Sequence, residues 1–150
     1  MNPTILKLFL LLQLAATLYL TGLIWFVQIV HYPLFGQVGK EGFAAYEIAH
    51  SNLTTIVVAP PMLLEVLTAG SWLWFRPHGI RWGEALVGVG LLAVIWCSTW
   101  FLQVPKHNVL ALGFDAPAHQ FLVASNWLRT IAWSGRSGLL LWLTARILSG

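Results

Sequence analysis

The chain is short of charge. Asp, Glu, Lys and Arg make up 9% of its 150 residues, against about 25% in a typical soluble domain. So few charges cannot cover a water-facing surface, and lipid is the expected solvent. Cysteine is nearly absent. Cys97 stands alone in an apolar run, which excludes an intrachain disulfide and a Cys-rich metal site. The eight Lys and Arg are scattered, so no basic patch for nucleic acid forms. What is abundant is apolar: 58% hydrophobic residues, with nine Trp, a residue favoured at membrane interfaces.

Four apolar stretches reach the roughly 20 residues that a bilayer crossing takes. They run from about Ile5 to Val30, Leu53 to Phe75, Ala85 to Val104 and Phe121 to Leu148. The first is too long for a signal peptide and lacks an Ala-x-Ala site, so it reads as a retained helix. Lipid leaves no backbone polar group free. Residues 1–150 therefore read as one integral membrane domain of the all-α class, a four-transmembrane-helix up-and-down bundle.

Basic residues orient the spans. Lys7, Arg76, Arg81 and Arg146 flank one side, whereas Lys40 and Lys106 lie in the opposite loops. Both termini and the RPHGIRWGE turn are then cytoplasmic. The connections from His31 to Asn52 and from Pro105 to His119 face outward. Within the first, GKEGFAAYEIAH (Gly39 to His50) is expected as a short interfacial helix. Gly83, Gly88, Gly90, Ser134, Gly135, Ser137 and Gly138 suggest close helix packing.

The sequence echoes itself near its half-length. Phe26-Val27-Gln28 precedes Phe101-Leu102-Gln103 by 75 positions, and Ser51-Asn52 precedes Ser125-Asn126 by 74. The alternatives are two repeated helical hairpins or chance matching in a biased composition. A true repeat puts Gln28 and Gln103 at matching depths near the outer face.

Glu65 is a lone carboxylate in mid-span, so it should face the bundle and find a partner. Spans two and four run in the same direction, and Arg136 lies at similar depth by the ~1.5 Å rise per residue. The two residues read as a structural ion pair, as the floor of a proton or redox relay, or as side chains that snorkel separately to the interface. Pro60-Pro61 removes two amide donors and should kink span two above Glu65. In span four Asn126, Arg129, Trp133 and Arg136 fall at i, i+3, i+7 and i+10, one face of a helix. That stripe should line the bundle axis.

The outer mouth collects His31, Tyr32, Glu47, His50, Gln103, His107, Asn108 and His119. Glu47 and His50 form one E-x-x-H pair. A di-iron bundle uses two such motifs and two further Glu, so this reading is incomplete. Haem through His31 and His107 is sterically allowed, as is zinc or copper through His31, His50 and His107. Cofactor-independent chemistry, or plain interfacial histidines, fits the same residues.

Several stretches resemble a group of small bacterial four-helix membrane proteins of unknown function. They are Gln28-Ile-Val-His31-Tyr32-Pro33-Leu34-Phe35, Ala59-Pro60-Pro61-Met62-Leu63-Leu64-Glu65, Gln103-Val-Pro105-Lys-His107-Asn108 and Asn126-Trp127-Leu128-Arg129-Thr130. More distantly, the Pro…Asn element after span three and the Asn/Trp…Arg-Thr element of span four resemble the anthrone-oxygenase-like domain. That resemblance implies a bacterial inner membrane and dioxygen-dependent oxidation of anthrones to anthraquinones without an obvious cofactor. It also implies a His between the Asn and the Arg-Thr of the fourth span. Here no His lies between Asn126 and Arg129, so a base at that place is either lost or replaced by His107 or His119.

Three readings follow. In the first, a membrane oxidoreductase takes a flat aromatic or quinone-like lipophile into an outward-facing polar pocket. His107 or His31 is its base, Arg129 and Asn126 stabilise an oxyanion, and Gln28, Tyr32, Glu65, Gln103, Asn108, Trp133 and Arg136 form the polar core. In the second, the same pocket binds haem, a metal or a lipophilic ligand without catalysis. The third is an accessory subunit of a larger membrane complex. The bilayer is the one implied partner, and a homo-oligomer stays open.

Overall fold

The computed structural model describes residues 2–149. Among them the regular structure is entirely helical and runs as four long rods. The first rod is α1 (Pro3–Phe26), a π-helical turn (Val27–His31) and α2 (Tyr32–Phe35). The second is α3 (Phe43–Ser71). The third is α4 (Trp82–Ser98), a second π-helical turn (Thr99–Gln103) and α5 (Val104–Leu110). The fourth is α6 (Ala116–Leu148).

Three rods, Thr4–Phe35, Phe43–Ser71 and Trp82–Leu110, are long and apolar enough to cross a membrane. The fourth, α6, is the longest single helix, but it carries Asn126, Arg129, Arg136 and Thr144 on a buried face. Its other face shows Trp127, Leu128, Ile131, Leu141 and Trp142 to the outside. The bundle is therefore turned inside out relative to a soluble one: apolar without and partly polar within.

The rods overrun the expected spans. The interfacial helix expected for Gly39 to His50 does not form as a separate element. Phe43 to His50 are instead the first two turns of α3, and Phe43 is fully buried against Phe35 and Phe114. Burying that ring ties the helix start to the bundle. The three rod connections each hold one glycine in the left-handed region: Gly39 (φ 84°), Gly79 (φ 92°) and Gly113 (φ 144°). A side chain there would be strained. Asp115 caps α6 by accepting from the Ala118 amide at 2.7 Å.

The two π turns have a local cause. Pro33 and Pro105 follow them closely, and each lacks the amide that an α-helix would donate four residues back. The chain widens by one residue instead: Tyr32 N–H reaches Val27 C=O, and Val104 N–H reaches Thr99 C=O. Both turns bury a glutamine, Gln28 and Gln103, so the half-length echo coincides with a shared local structure. Pro60 and Pro61, by contrast, lie within an unbroken α3.

Of the small residues, Gly88 and Gly135 sit in the seam between α4 and α6. A methyl group on Gly88 would meet Arg136 and Leu139, and one on Gly135 would meet Leu91. Gly83, Gly90 and Gly138 face open space. Apolar residues close the end that holds the termini: Leu10, Trp72, Ile80, Leu140 and Leu143 form one cluster.

Candidate functional site

Two polar clusters are stacked along the bundle axis. The inner one is built on Glu65. Its carboxylate is fully buried and accepts from Arg136 Nε at 3.0 Å, from Trp133 Nε1 at 3.1 Å and from the Thr17 hydroxyl. Arg136 also donates to the Gly88 carbonyl at 2.6 Å. With its amide oxygen turned inward, Gln13 accepts from Arg136 Nη2 at 3.3 Å. Glu65 and Arg136, expected to share a depth, thus form a buried, hydrogen-bonded ion pair.

Thr17 and Gln13 were not among the sequence candidates. Gln13, Thr17 and Thr21 recur every four residues through an otherwise apolar run, which is one helical face. That spacing was the available signal.

The outer cluster is a chain of four side chains from four elements. Glu47 Oε1 of α3 lies 2.5 Å from His107 Nδ1 of α5. His107 Nε2 lies 2.9 Å from the Tyr32 hydroxyl of α2. Arg129 Nη2 of α6 donates to that hydroxyl at 3.3 Å. If Nδ1–H donates to the carboxylate, Nε2 is the acceptor for the phenol proton, a tautomer fixed by the partners. The order is carboxylate, imidazole, hydroxyl, cation. The first three members follow the logic of a hydrolase triad, in which an acid orients a histidine that draws a proton from a hydroxyl.

Glutamines and Asn126 hold Arg129 in place. Asn126 Oδ1 accepts from Arg129 Nε at 2.9 Å and from Nη2 at 2.5 Å. Asn126 Nδ2 donates to Gln28 Oε1 at 2.9 Å, and Gln28 Nε2 donates to the Val123 carbonyl at 3.2 Å. Gln103 Nε2 donates to Ser125 Oγ at 2.8 Å, and its oxygen faces Arg129 Nη2 at 3.4 Å. The π turns are what aim both glutamines at α6. His119 fixes the Tyr32 backbone, with its Nε2 2.7 Å from the Tyr32 carbonyl.

His31 and His50 stand beside this chain. His31 Nε2 and His50 Nδ1 are 2.9 Å apart, and the His50 and His107 ring centres are 5.4 Å apart. The three histidines do cluster: His107 uses both ring nitrogens, on Glu47 and Tyr32, whereas His31 Nε2 and His50 Nδ1 face each other. Among the described residues no group of three or more His, Cys, Asp and Glu is arranged to hold a metal ion. Axial haem ligation by His107 would require it to give up its bond to Tyr32 or to Glu47. The E-x-x-H residues serve different partners, His107 for Glu47 and His31 for His50.

A cavity of about 500 Å³ opens onto the outer cluster. Such a volume lies within the ~300–1,000 Å³ of small-molecule sites. Tyr32, His50, Gln103, His107 and Arg129 line its polar end. Its walls are apolar and include Ile24, Met62, Trp96, Trp100 and Trp133. Asn108 is exposed at the rim and has no hydrogen bond to the cluster. A second apolar hollow of about 510 Å³ lies against α1 and α3, with His31 and His50 at its edge.

Glu47 is the residue that the sequence undervalued. It is fully buried, and Oε2 has no hydrogen-bond partner. A buried carboxylate oxygen without a donor is costly. No family model, curated protein or solved structure matches the chain. The function therefore has to be read from these residues.

Proposed function

We propose that the chain is a membrane-embedded oxidoreductase for a flat aromatic or quinone-like lipophile. The observation that carries this reading is the unbroken series Glu47–His107–Tyr32–Arg129 at the polar end of an otherwise apolar cavity. In this reading α6 is a fourth membrane crossing, its apolar face to lipid and its polar face to the axis. The termini and the turn around Arg76 and Arg81 lie on the cytoplasmic side of a bacterial inner membrane.

The substrate lies between the Trp-lined walls with its oxygen toward Arg129. Tyr32 passes its proton to His107 Nε2 and takes one from the substrate, while Glu47 holds the resulting imidazolium. Arg129 stabilises the oxyanion by charge and hydrogen bonds. For an anthrone, dioxygen is the oxidant: a ring CH2 and O2 become a ring C=O and water. The anthrone-oxygenase-like resemblance supports this chemistry. His107, arriving from α5, supplies the base that the fourth rod lacks.

Oxygen uptake by the purified protein with anthrone tests the proposal. His107→Asn and Tyr32→Phe should each lower the rate on the order of 100-fold, the usual worth of a positioned acid–base group. Unchanged uptake in both variants sinks the relay. A non-catalytic lipophile-binding role is the second reading, favoured by the dominance of Trp and aliphatic side chains in the cavity wall. It predicts ligand binding without oxygen uptake.

A further inference from the structure

Arg129 is a buried cation with no acid beside it. Its side chain lines the cavity and is 8% exposed. The ion pairs among the described residues join Arg81, Arg136, Arg146 and His107 to carboxylates, and Arg129 is in none of them. Its partners are neutral oxygens: Asn126 Oδ1, Tyr32 Oη, Gln103 Oε1 and, at 3.5 Å, Thr99 Oγ1. The last is the one partner of Nη1, so this nitrogen keeps an unspent N–H of the five that a guanidinium carries. Glu47 is the nearest acid along the relay, separated from Arg129 by His107 and Tyr32. Burial without an adjacent anion is unfavourable, and an anion at the cavity's polar end would relieve it.

The cavity also reaches the outer surface of the bundle. Leu63 of α3 and Trp100 of the second π turn both line it, and both are more than half exposed. Both belong to the apolar exterior, where an opening would lead to lipid rather than to water.

We infer that the ligand is a lipophilic acid, which enters neutral between Leu63 and Trp100 and is held on Arg129 as its oxyanion. This rests on the quinone-like reading above and adds the ligand's acidity, its ionised state and its route. The neutral acid is the form that dissolves in lipid. At the polar end its O–H bond breaks, and the oxygen keeps the electron pair and faces Arg129. The proton goes to the Tyr32 oxygen as the Tyr32 proton passes to His107 Nε2. No net charge crosses the cavity wall, and the imidazolium comes to rest beside Glu47.

Binding of lawsone, a hydroxynaphthoquinone that is an anion at neutral pH, and of its methyl ether, a neutral molecule of similar shape, tests this. Both are titrated into the protein in nanodiscs and read by tryptophan fluorescence, with empty nanodiscs as the baseline. The wild type should bind lawsone at least tenfold tighter than the ether. Arg129→Gln should erase that preference, and Arg129→Lys should keep part of it. Equal affinity of the wild type for the two probes overturns the inference and leaves the quinone-like reading standing. Binding of neither probe overturns both. A preference that survives in Arg129→Gln removes Arg129 as its source. The wild-type comparison decides the matter even if a variant fails to fold.

Discussion

Trp133 donates its indole N–H to Glu65 Oε2 at 3.1 Å, and the same side chain lines the cavity headed by Arg129. One residue thus joins the two polar clusters. Its outer surface is part of the cavity wall, and its nitrogen completes the shell of the inner carboxylate. Trp133→Phe keeps most of the wall but removes the donor. Glu65 Oε2 is then left buried without a partner, which costs about 1–3 kcal/mol. Thermal unfolding in detergent should show the loss. A variant as stable as the wild type would mean that water or a shifted side chain replaces the indole.

The ion pair behind that contact makes a larger prediction. Glu65 and Arg136 are each no more than 1% exposed. Glu65→Gln or Arg136→Gln leaves one buried charge without its counter-ion, at a cost of roughly 3–5 kcal/mol. The double substitution Glu65→Leu with Arg136→Met removes both charges and should recover most of that loss, because well-packed apolar side chains replace such pairs at little cost. If the double variant is no better than the worse single one, the hydrogen bonds to Gly88 and Trp133, rather than the charge, hold this level of the bundle.

How much of this could be read beforehand depends on how local the signal was. Glu65 and Arg136 were legible because a lone mid-span charge must be buried, and helical rise sets depth along two rods that run the same way. The stripe from Asn126 to Arg136 was legible by spacing alone. Glu47 was not. It reads as half of an E-x-x-H pair in a short interfacial helix at the outer mouth, and nothing local says that this helix is continuous with α3 and carries Glu47 inward. The π turns left only Pro33 and Pro105 as a trace, since a one-residue widening changes no hydrophobic period enough to notice. The convergence of His107, Tyr32 and Arg129 is a tertiary fact, made by residues up to 97 positions apart.

Orientation is the last point open to direct measurement. Arg146 is clamped at one end of the bundle by Glu84, at 2.8 and 2.6 Å, and by the Gly79 carbonyl. Arg76 lies over the Trp82 ring at the same end, 3.7 Å from its centre. Lys40 belongs to the connection between α2 and α3, and Lys106 to α5, at the other end. Basic residues are retained on the cytoplasmic side, so the arginine-bearing end is expected inside. With Cys97 changed to Ser, Lys40→Cys should react with a membrane-impermeant maleimide in intact cells whose outer barrier has been removed. His78→Cys, in the turn between α3 and α4, should react only after permeabilisation. The opposite pattern inverts the topology and places the cavity toward the cytoplasm. Equal labelling of both sites in intact cells shows that α3 does not cross the membrane, and the lateral route from lipid falls with it.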